Sequence, residues 1–254
     1  MSGRLRFKER GQAAMKHPYW TKILGMPERG ANRFLADMAC ANKGKQQEFL
    51  TWVAHGFFPI SHSSPQAFGR VAEISQNAET RRLARFIYEV ELGLYPLVKG
   101  APHQGIPHTE QFRQLMESLV DGISIPIPLQ KKWEMLRKLD LAHADLAQAL
   151  ASCYVIEDLA GPVINYFQDF VARWQVLTRR PSRLIRRAFL DEHSLTEGDL
   201  PEQHSGIVKR MLDSHKDLVE TERYGEEKKR YNEAVREHLD RIYKKICGLI
   251  FEVR

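Results

Sequence analysis

Residues 192–204, with the sequence EHSLTEGDLPEQH, bring together two histidines and four carboxylates. His193 and Glu197 are four residues apart, so a helix would present an imidazole and a carboxylate on one face. That combination can bind a metal ion. In a continuous helix His204 would lie about 16 Å from His193, which is too far for one metal cluster. A glycine and a proline between them argue against a continuous helix. The segment is therefore predicted to be either metal-binding or an acidic connection between helices.

Glu157 lies inside the long apolar segment 141–177, in the stretch CYVIEDLAGPV. A helix that is apolar on nearly all sides is buried in a bundle. A bare carboxylate there costs several kcal/mol unless it is paired, protonated or bound to a metal. An ion pair with arginine, a position at the helix edge and a metal site all remain open.

Two glutamates lie in the amphipathic stretch FIYEVELGLY. Glu89 and Glu91 are two residues apart and point about 200° apart on a helix, so only one can face the core. Glu91 is on the side of Ile87 and Tyr88, so it is predicted to face inward and Glu89 to face solvent. A salt bridge and a metal site are both compatible with Glu91.

Three further histidines and one cysteine are candidates for the same chemistry. His108 opens the helix HTEQFRQLMESL, where a histidine is often a surface or capping residue, and His103 precedes it in a Gly/Pro-rich loop. His143, in the segment of Glu157, is interpreted as a buried, hydrogen-bonded histidine. Cys153, one helical turn before Glu157, is interpreted as a structural thiol.

Helical periodicity dominates the rest of the chain, and no strand alternation or internal repeat is evident. The fold class predicted is all-α, a single domain over residues 1–254 with about seven to nine helices. Residues 1–14 form a basic tail, and residues 224–254 form an amphipathic C-terminal helix. A separate helix is expected to begin near Ser63 and Pro65, because serine is a common N-cap and proline favours the first turn.

Composition excludes several classes of protein. The net charge of +6 comes largely from two short basic stretches, and no nucleic-acid recognition motif accompanies them, so solvated helix surface is the simpler interpretation. No apolar run approaches the roughly 20 residues of a membrane span. The N-terminus lacks the apolar stretch of a secretory signal. Three well-separated cysteines fit a reducing cytoplasm.

In their order along the chain, several of these segments resemble the heme-oxygenase-like proteins, and in particular their non-heme di-iron oxidases and oxygenases. The segments are HPYWTKILG, VELGLY, PHTEQFRQLMESL, SCYVIEDLAGPV and EHSLTEGDLPEQH. The resemblance covers roughly residues 17–212. It implies a heme-oxygenase-like helical bundle.

The resemblance also implies a set of metal ligands. Carried over by position, they are Glu91, His108, Glu157, His193, Glu197 and His204. Two departures from the family pattern stand out. The compact pattern expects the last histidine at Leu200, and only the longer-gap pattern assigns it to His204. The long gap after Glu91 makes His103 a rival of His108.

The function implied is activation of O2 by two Fe(II) ions, with Glu157 as the bridging carboxylate and Glu91 as its catalytic companion. Oxidation of a small amino-acid- or fatty-acid-like metabolite would follow, as N-oxygenation, desaturation or C–C cleavage, with an electron donor as a further partner and homodimerisation open. We expect either that the helix unwinds to deliver His204 or that the second iron is held loosely.

Three alternatives remain. The first is a metal-free relative, either an oxidase like pyrroloquinoline-quinone synthase or a thiaminase-II-like hydrolase with Cys153 as nucleophile. The second is a non-enzymatic helical interaction protein that works through its C-terminal helix. The third is a heme-binding enzyme with His17 or His55 as the proximal ligand.

Overall fold

The computed structural model describes residues 28–94, 105–128, 135, 145–195 and 204–251. Within these ranges the chain forms α-helices and one 3₁₀ turn, Ser182–Leu184, and no strand. The helices are α1 Glu28–Ala39, α2 Lys43–Ile74, α3 Ala78–Glu91, α4 His108–Ser118, α5 Leu146–Thr178, α6 Ala188–Leu195, α7 His204–Asp213, α8 Lys216–Val219 and α9 Glu222–Phe251. These nine helices confirm the all-α prediction for the described part of the chain. The heme-oxygenase-like arrangement and the single domain stay predictions, and the tail 1–14 lies outside the described residues.

Helix α2 corrects one prediction, because it runs without a break through both Pro59 and Pro65. No helix begins at Ser63. Proline has no N–H, so Pro59 leaves the carbonyl of His55 without its usual helical donor. The Nε2 of His238, on α9, lies 2.9 Å from that carbonyl and replaces the missing donor. A side chain far away in sequence thus allows the helix to continue.

Helices α2 and α5 form the centre of the bundle. Helix α2 packs against α3, α4, α5 and α9, and α5 also contacts α7 and α9. Aromatic rings fill the space between them: Phe49 stacks on Trp174 with ring centroids 5.8 Å apart. The indole N–H of Trp174 donates to the Leu119 carbonyl at 3.2 Å. These contacts hold α2 and α5 against each other, and the shorter helices pack around them.

The ends of α5 are well defined by local interactions. Asp145 caps the N-terminus by accepting from the backbone N–H of Gln148 at 2.8 Å, and Arg223 of α9 pairs with the same carboxylate at 3.2 Å. At the other end Arg179 adopts a left-handed conformation with φ 55° and turns the chain away. These interactions define both ends of the helix that carries Glu157.

The C-terminal helix agrees with the sequence prediction and begins two residues before the expected position 224. It buries Tyr231, Val235 and Ile242 against the core and exposes most of its charged side chains. Glu227 is the exception: it is buried and pairs with Arg223 and Arg230. Over the described part of the chain, no helix has both the length and the apolar character needed to cross a bilayer.

Two histidines at the contact between α2 and α9 have lowered pKa values. Burial lowers the pKa of His55, and the hydrogen bond to the Pro126 carbonyl only partly opposes this. Burial likewise lowers the pKa of His238, against the hydrogen bond to the His55 carbonyl. Both imidazoles are therefore neutral in the folded protein at pH values where an exposed histidine, with a pKa of about 6.5, already takes up a proton.

This difference predicts a loss of stability in mild acid. Below about pH 6.5 the unfolded chain binds protons that the folded chain does not, so the free energy of unfolding falls as the pH falls. Because glutamine keeps a neutral N–H donor, we expect the double variant His55→Gln/His238→Gln to lose less stability than the wild type. The measurement is the Tm by circular dichroism between about pH 7.5 and pH 5. Curves that stay parallel down to the lower pH would contradict the prediction.

Candidate metal centre

The first half of the site lies where α3 ends and α4 begins. Glu91 is the last residue of α3 and is 9% exposed, and His108 is the first residue of α4 and is 2% exposed. The Nδ1 of His108 lies 3.1 Å from the Oε2 of Glu91. The amphipathic pattern of α3 turns Glu91 inward, as predicted, and Glu89 is half-buried.

A close backbone contact holds these two helix ends together. Gly93 has φ 74°, and a Cβ atom built on it would lie 2.4 Å from the carbonyl oxygen of Ile106. The N–H of Gly105 donates to the Gly93 carbonyl at 2.6 Å, and the side-chain amide of Gln111 donates to the Ile106 carbonyl at 2.9 Å. Gly93 follows Glu91 by two residues and Ile106 precedes His108 by two. The contact therefore determines how closely Glu91 and His108 can approach.

The second half of the site comes from α5 and α7. Glu157 projects from the middle of α5, and His204 is the first residue of α7. The Nδ1 of His204 lies 3.6 Å from the Oε1 of Glu157, and the two side chains are 12% and 7% exposed. The Nε2 of His204 is buried and has no hydrogen-bond partner among the residues that the structure describes. A buried nitrogen of this kind is costly unless something else binds it.

The two halves meet at one point. One ligand atom each from Glu91, Glu157 and His204 lies within 4.8 Å of the other two. His108 joins this group through its contact with Glu91. Two carboxylates and one imidazole from three helices thus converge on one small volume, with the His108 imidazole against Glu91, an arrangement that favours a bound cation.

Electrostatics at His204 follow from this convergence. Burial alone would lower the pKa of the imidazole, but the carboxylate of Glu157, by charge and hydrogen bonding, raises it. The more distant Glu91 carboxylate acts in the same direction, and His108 opposes it. The net pKa of His204 is raised, because the attraction of the carboxylates outweighs the effect of burial.

The structure brings together three of the six ligands predicted from sequence, Glu91, Glu157 and His204, and a fourth, His108, contacts Glu91. The side chain of His193 and the whole of Glu197 lie outside the described residues, as do the rival His103 and also His143. Helix α6 is described to Leu195 and α7 begins at His204.

His204 stands at the described start of α7, with its ring against Glu157. The connection between Leu195 and His204 lies outside the described residues, so the interruption of the helix stays a prediction.

Three residues near the site were not singled out from sequence. One is Gly93, for which the available signal is that glycine alone tolerates both a positive φ and a close approach of backbone. Gln111 follows His108 by one helical turn and is 1% exposed. The Phe189 ring of α6 packs edge-on against His108, with centroids 6.2 Å apart. No sequence signal could have predicted that contact.

Cys153 does not have the character of a nucleophile. The side chain is fully buried, and burial, together with the nearby Glu157 carboxylate, raises the pKa of the thiol well above its ordinary value. A reactive cysteine needs a lowered pKa and some exposure. The hydrolase alternative, which depends on this thiol, is weakened accordingly.

Alkylation tests this character of Cys153. In the native protein at about pH 8 we expect iodoacetamide to modify exposed Cys40 and to leave Cys153 unmodified, because the buried thiol stays protonated and out of reach. Mass spectrometry of the peptides measures both sites in one sample. The same reaction in guanidinium should modify both cysteines. Equal rates in the native protein would show that Cys153 is accessible.

The heme alternative receives no support from His55. Its Nε2 is engaged by the carbonyl of Pro126 at 3.1 Å, and its ring packs against Trp52 and Phe58. His17 lies outside the described residues.

Comparisons with known proteins give no further guidance. No family model matches the chain, and neither the curated proteins nor the solved structures compared with it include a match. The geometry and donor atoms of the site are therefore the basis for a proposed function.

Proposed function

We propose that this site binds two Fe(II) ions and that the protein is an O2-dependent non-heme di-iron oxidase or oxygenase. One observation carries the proposal: Glu91, Glu157 and His204, far apart in sequence, place ligand atoms within 4.8 Å of one another in the core. The resemblance of the same segments to the di-iron oxidases supports it.

The donor set fits such ions. Mixed carboxylate and imidazole ligands suit iron or manganese, whereas structural zinc sites favour thiolates. The buried Nε2 of His204, which has no hydrogen-bond partner in the described part of the chain, could coordinate a metal ion. Two carboxylates that lie this close in the core are also stabilised when cations neutralise them.

Each residue has a proposed role. Glu157, on the central helix, would be the carboxylate shared by the two ions, as the resemblance implies. Glu91, His108 and His204 would supply the other ligands that the structure describes. His193 and Glu197 are proposed as further ligands from their spacing and from the resemblance alone.

Bound iron would supply the redox chemistry that activates O2, by which a substrate could be N-oxygenated, desaturated or cleaved at a C–C bond, with an electron donor as a further partner. The chain contributes the rest. Packed aromatic rings exclude water from His108. The carboxylates of Glu91 and Glu157 would balance the positive charge of the ions. We propose a small amino-acid- or fatty-acid-like metabolite as the substrate and the cytoplasm as the location.

Iron loading without oxygen tests the proposal. Protein incubated with Fe(II) and freed of unbound metal should contain up to two iron ions per chain by elemental analysis, and addition of O2 should produce a transient visible absorption band. Because the site is built from buried ligands, the iron should survive gel filtration. Iron no higher than in a bovine serum albumin sample treated in parallel would refute the proposal. Oxidase activity that survives strong chelation would favour the metal-free alternative.

A further inference from the structure

The C-terminal end of α5 and the turn that follows form a surface of unusual composition. Residues 176–187 contain five arginines and no acidic or aromatic residue. Three aliphatic side chains in this stretch are exposed: Val176 by 78%, Leu177 by 38% and Leu184 by 44%. They are three of the five large hydrophobic side chains found exposed in the described part of the chain. Single exposed aliphatics need no explanation, but a group of them does.

The surface is held in one shape. The side-chain amide of Gln175 donates to the Ser182 hydroxyl at 3.2 Å, so the last turn of α5 contacts the 3₁₀ turn. Ile185 is buried beneath the turn and anchors it. Leu184 therefore lies beside the end of α5 without being covered. A preorganised surface loses little entropy when a partner binds.

The arginines of residues 176–187 differ in whether they form ion pairs within the protein. Arg180 pairs with Asp121 at 2.8 Å and also donates to the Ser118 carbonyl, so its role is structural. Arg187 pairs with Asp191. Arg179 and Arg183 are exposed and form no ion pair with any described residue. Their guanidinium groups are available to carboxylates from outside, which arginine binds in a bidentate manner.

From this combination we infer that residues 176–187, called here the arginine–aliphatic surface, bind an acidic segment of another protein whose carboxylates flank an aliphatic stripe. Charge complementarity requires an acidic partner, and the exposed valine and leucines require apolar contact at the centre. Nucleic acid fits less well, because the surface offers no aromatic ring on which a base could stack. The inference does not depend on the proposed function.

A designed peptide tests the inference on the full-length protein. The probe is a 16-residue peptide with leucines at helical spacing and glutamate elsewhere, and binding is measured by fluorescence anisotropy at low salt. We expect a Kd on the order of 10–100 µM. A peptide of the same composition with scattered leucines should bind at least about threefold more weakly, because it cannot offer one aliphatic stripe.

Variants assign the binding to the surface. Arg179→Glu/Arg183→Glu should raise the Kd at least about tenfold, and Val176→Ser/Leu184→Ser about threefold. The matched control is Arg236→Glu/Lys244→Glu on α9, which makes the same charge change at exposed positions and should alter the Kd by less than about twofold. Circular dichroism confirms that each variant is folded.

Four outcomes would overturn the inference. Equal weakening by the α9 control would show only nonspecific attraction of charge, and equal binding of the scattered peptide would show that no aliphatic stripe is recognised. Tighter binding to vesicles of phosphatidylserine and phosphatidylcholine, lost in Arg179→Glu/Arg183→Glu, would assign the surface to a membrane. A concentration-dependent dimer in light scattering, lost in Val176→Ser/Leu184→Ser, would assign it to a second copy of the chain.

Discussion

Replacing Glu157 with glutamine is expected to lower the affinity of the protein for Fe(II) by at least about 100-fold, because even residues that only orient metal ligands are worth about 10–100-fold. Glutamine keeps the size of the side chain and removes its charge. Glu157 lies at the centre of the site, against His204 on one side and within reach of Glu91 on the other. The loss should therefore affect both ions rather than one.

The neighbouring residue provides a matched control for this variant. Asp158 lies on the same turn of α5 but is exposed, so Asp158→Asn makes the same change of charge outside the core. Anaerobic titration with Fe(II), followed by elemental analysis, compares the two variants with the wild type. We expect Asp158→Asn to bind iron as the wild type does. If Glu157→Gln does so too, Glu157 is not a ligand and the proposed centre is wrong.

Replacing Gly93 with alanine is expected to destabilise the protein and to weaken metal binding together. The positive φ of 74° costs an alanine about 1–2 kcal/mol. The new Cβ would also lie 2.4 to 2.7 Å from the backbone O, C and N atoms of Ile106, so the two backbones would have to separate. That movement would take His108 away from Glu91. We expect a total loss of more than about 2 kcal/mol in unfolding free energy.

Gly105 separates the two effects of this substitution. It also has a positive φ, of 91°, but a Cβ built on it meets no atom within 4 Å. Gly105→Ala should therefore show the conformational cost alone, about 1–2 kcal/mol, and retain Fe(II) affinity. Chemical denaturation measures the first quantity and anaerobic titration the second. Equal Fe(II) affinities in the two variants would show that the contact between Gly93 and Ile106 does not position His108.

Much of the site was predictable because it depends on local periodicity. The amphipathic pattern of α3 is enough to turn Glu91 toward the core, since it follows from 3.6 residues per turn. The apolar surroundings of Glu157 left both burial and a position at the helix edge open. Only the resemblance to the di-iron oxidases implied that Glu91, His108, Glu157 and His204 act together. Their spacing could not show that they meet, because three connections of unknown path separate them.

The continuity of α2 shows where local rules fail. Serine and proline at positions 63 and 65 are a good signal for a helix start, and sequence reasoning predicted one there. The helix instead runs from Lys43 to Ile74. Pro59 cannot donate to the His55 carbonyl, and His238, 183 residues after His55 in sequence, donates to it instead. A hydrogen bond between residues so far apart in sequence cannot be predicted from a local sequence pattern.

The sequence by itself determined the all-α class and the inward side of α3, because helix period and apolar content act within a few residues. Only the tertiary structure decided that Glu157 is largely buried, that His204 approaches it, and that Gly93 approaches Ile106 and brings Glu91 to His108. These contacts join residues on different helices, and their distances depend on how the whole core packs.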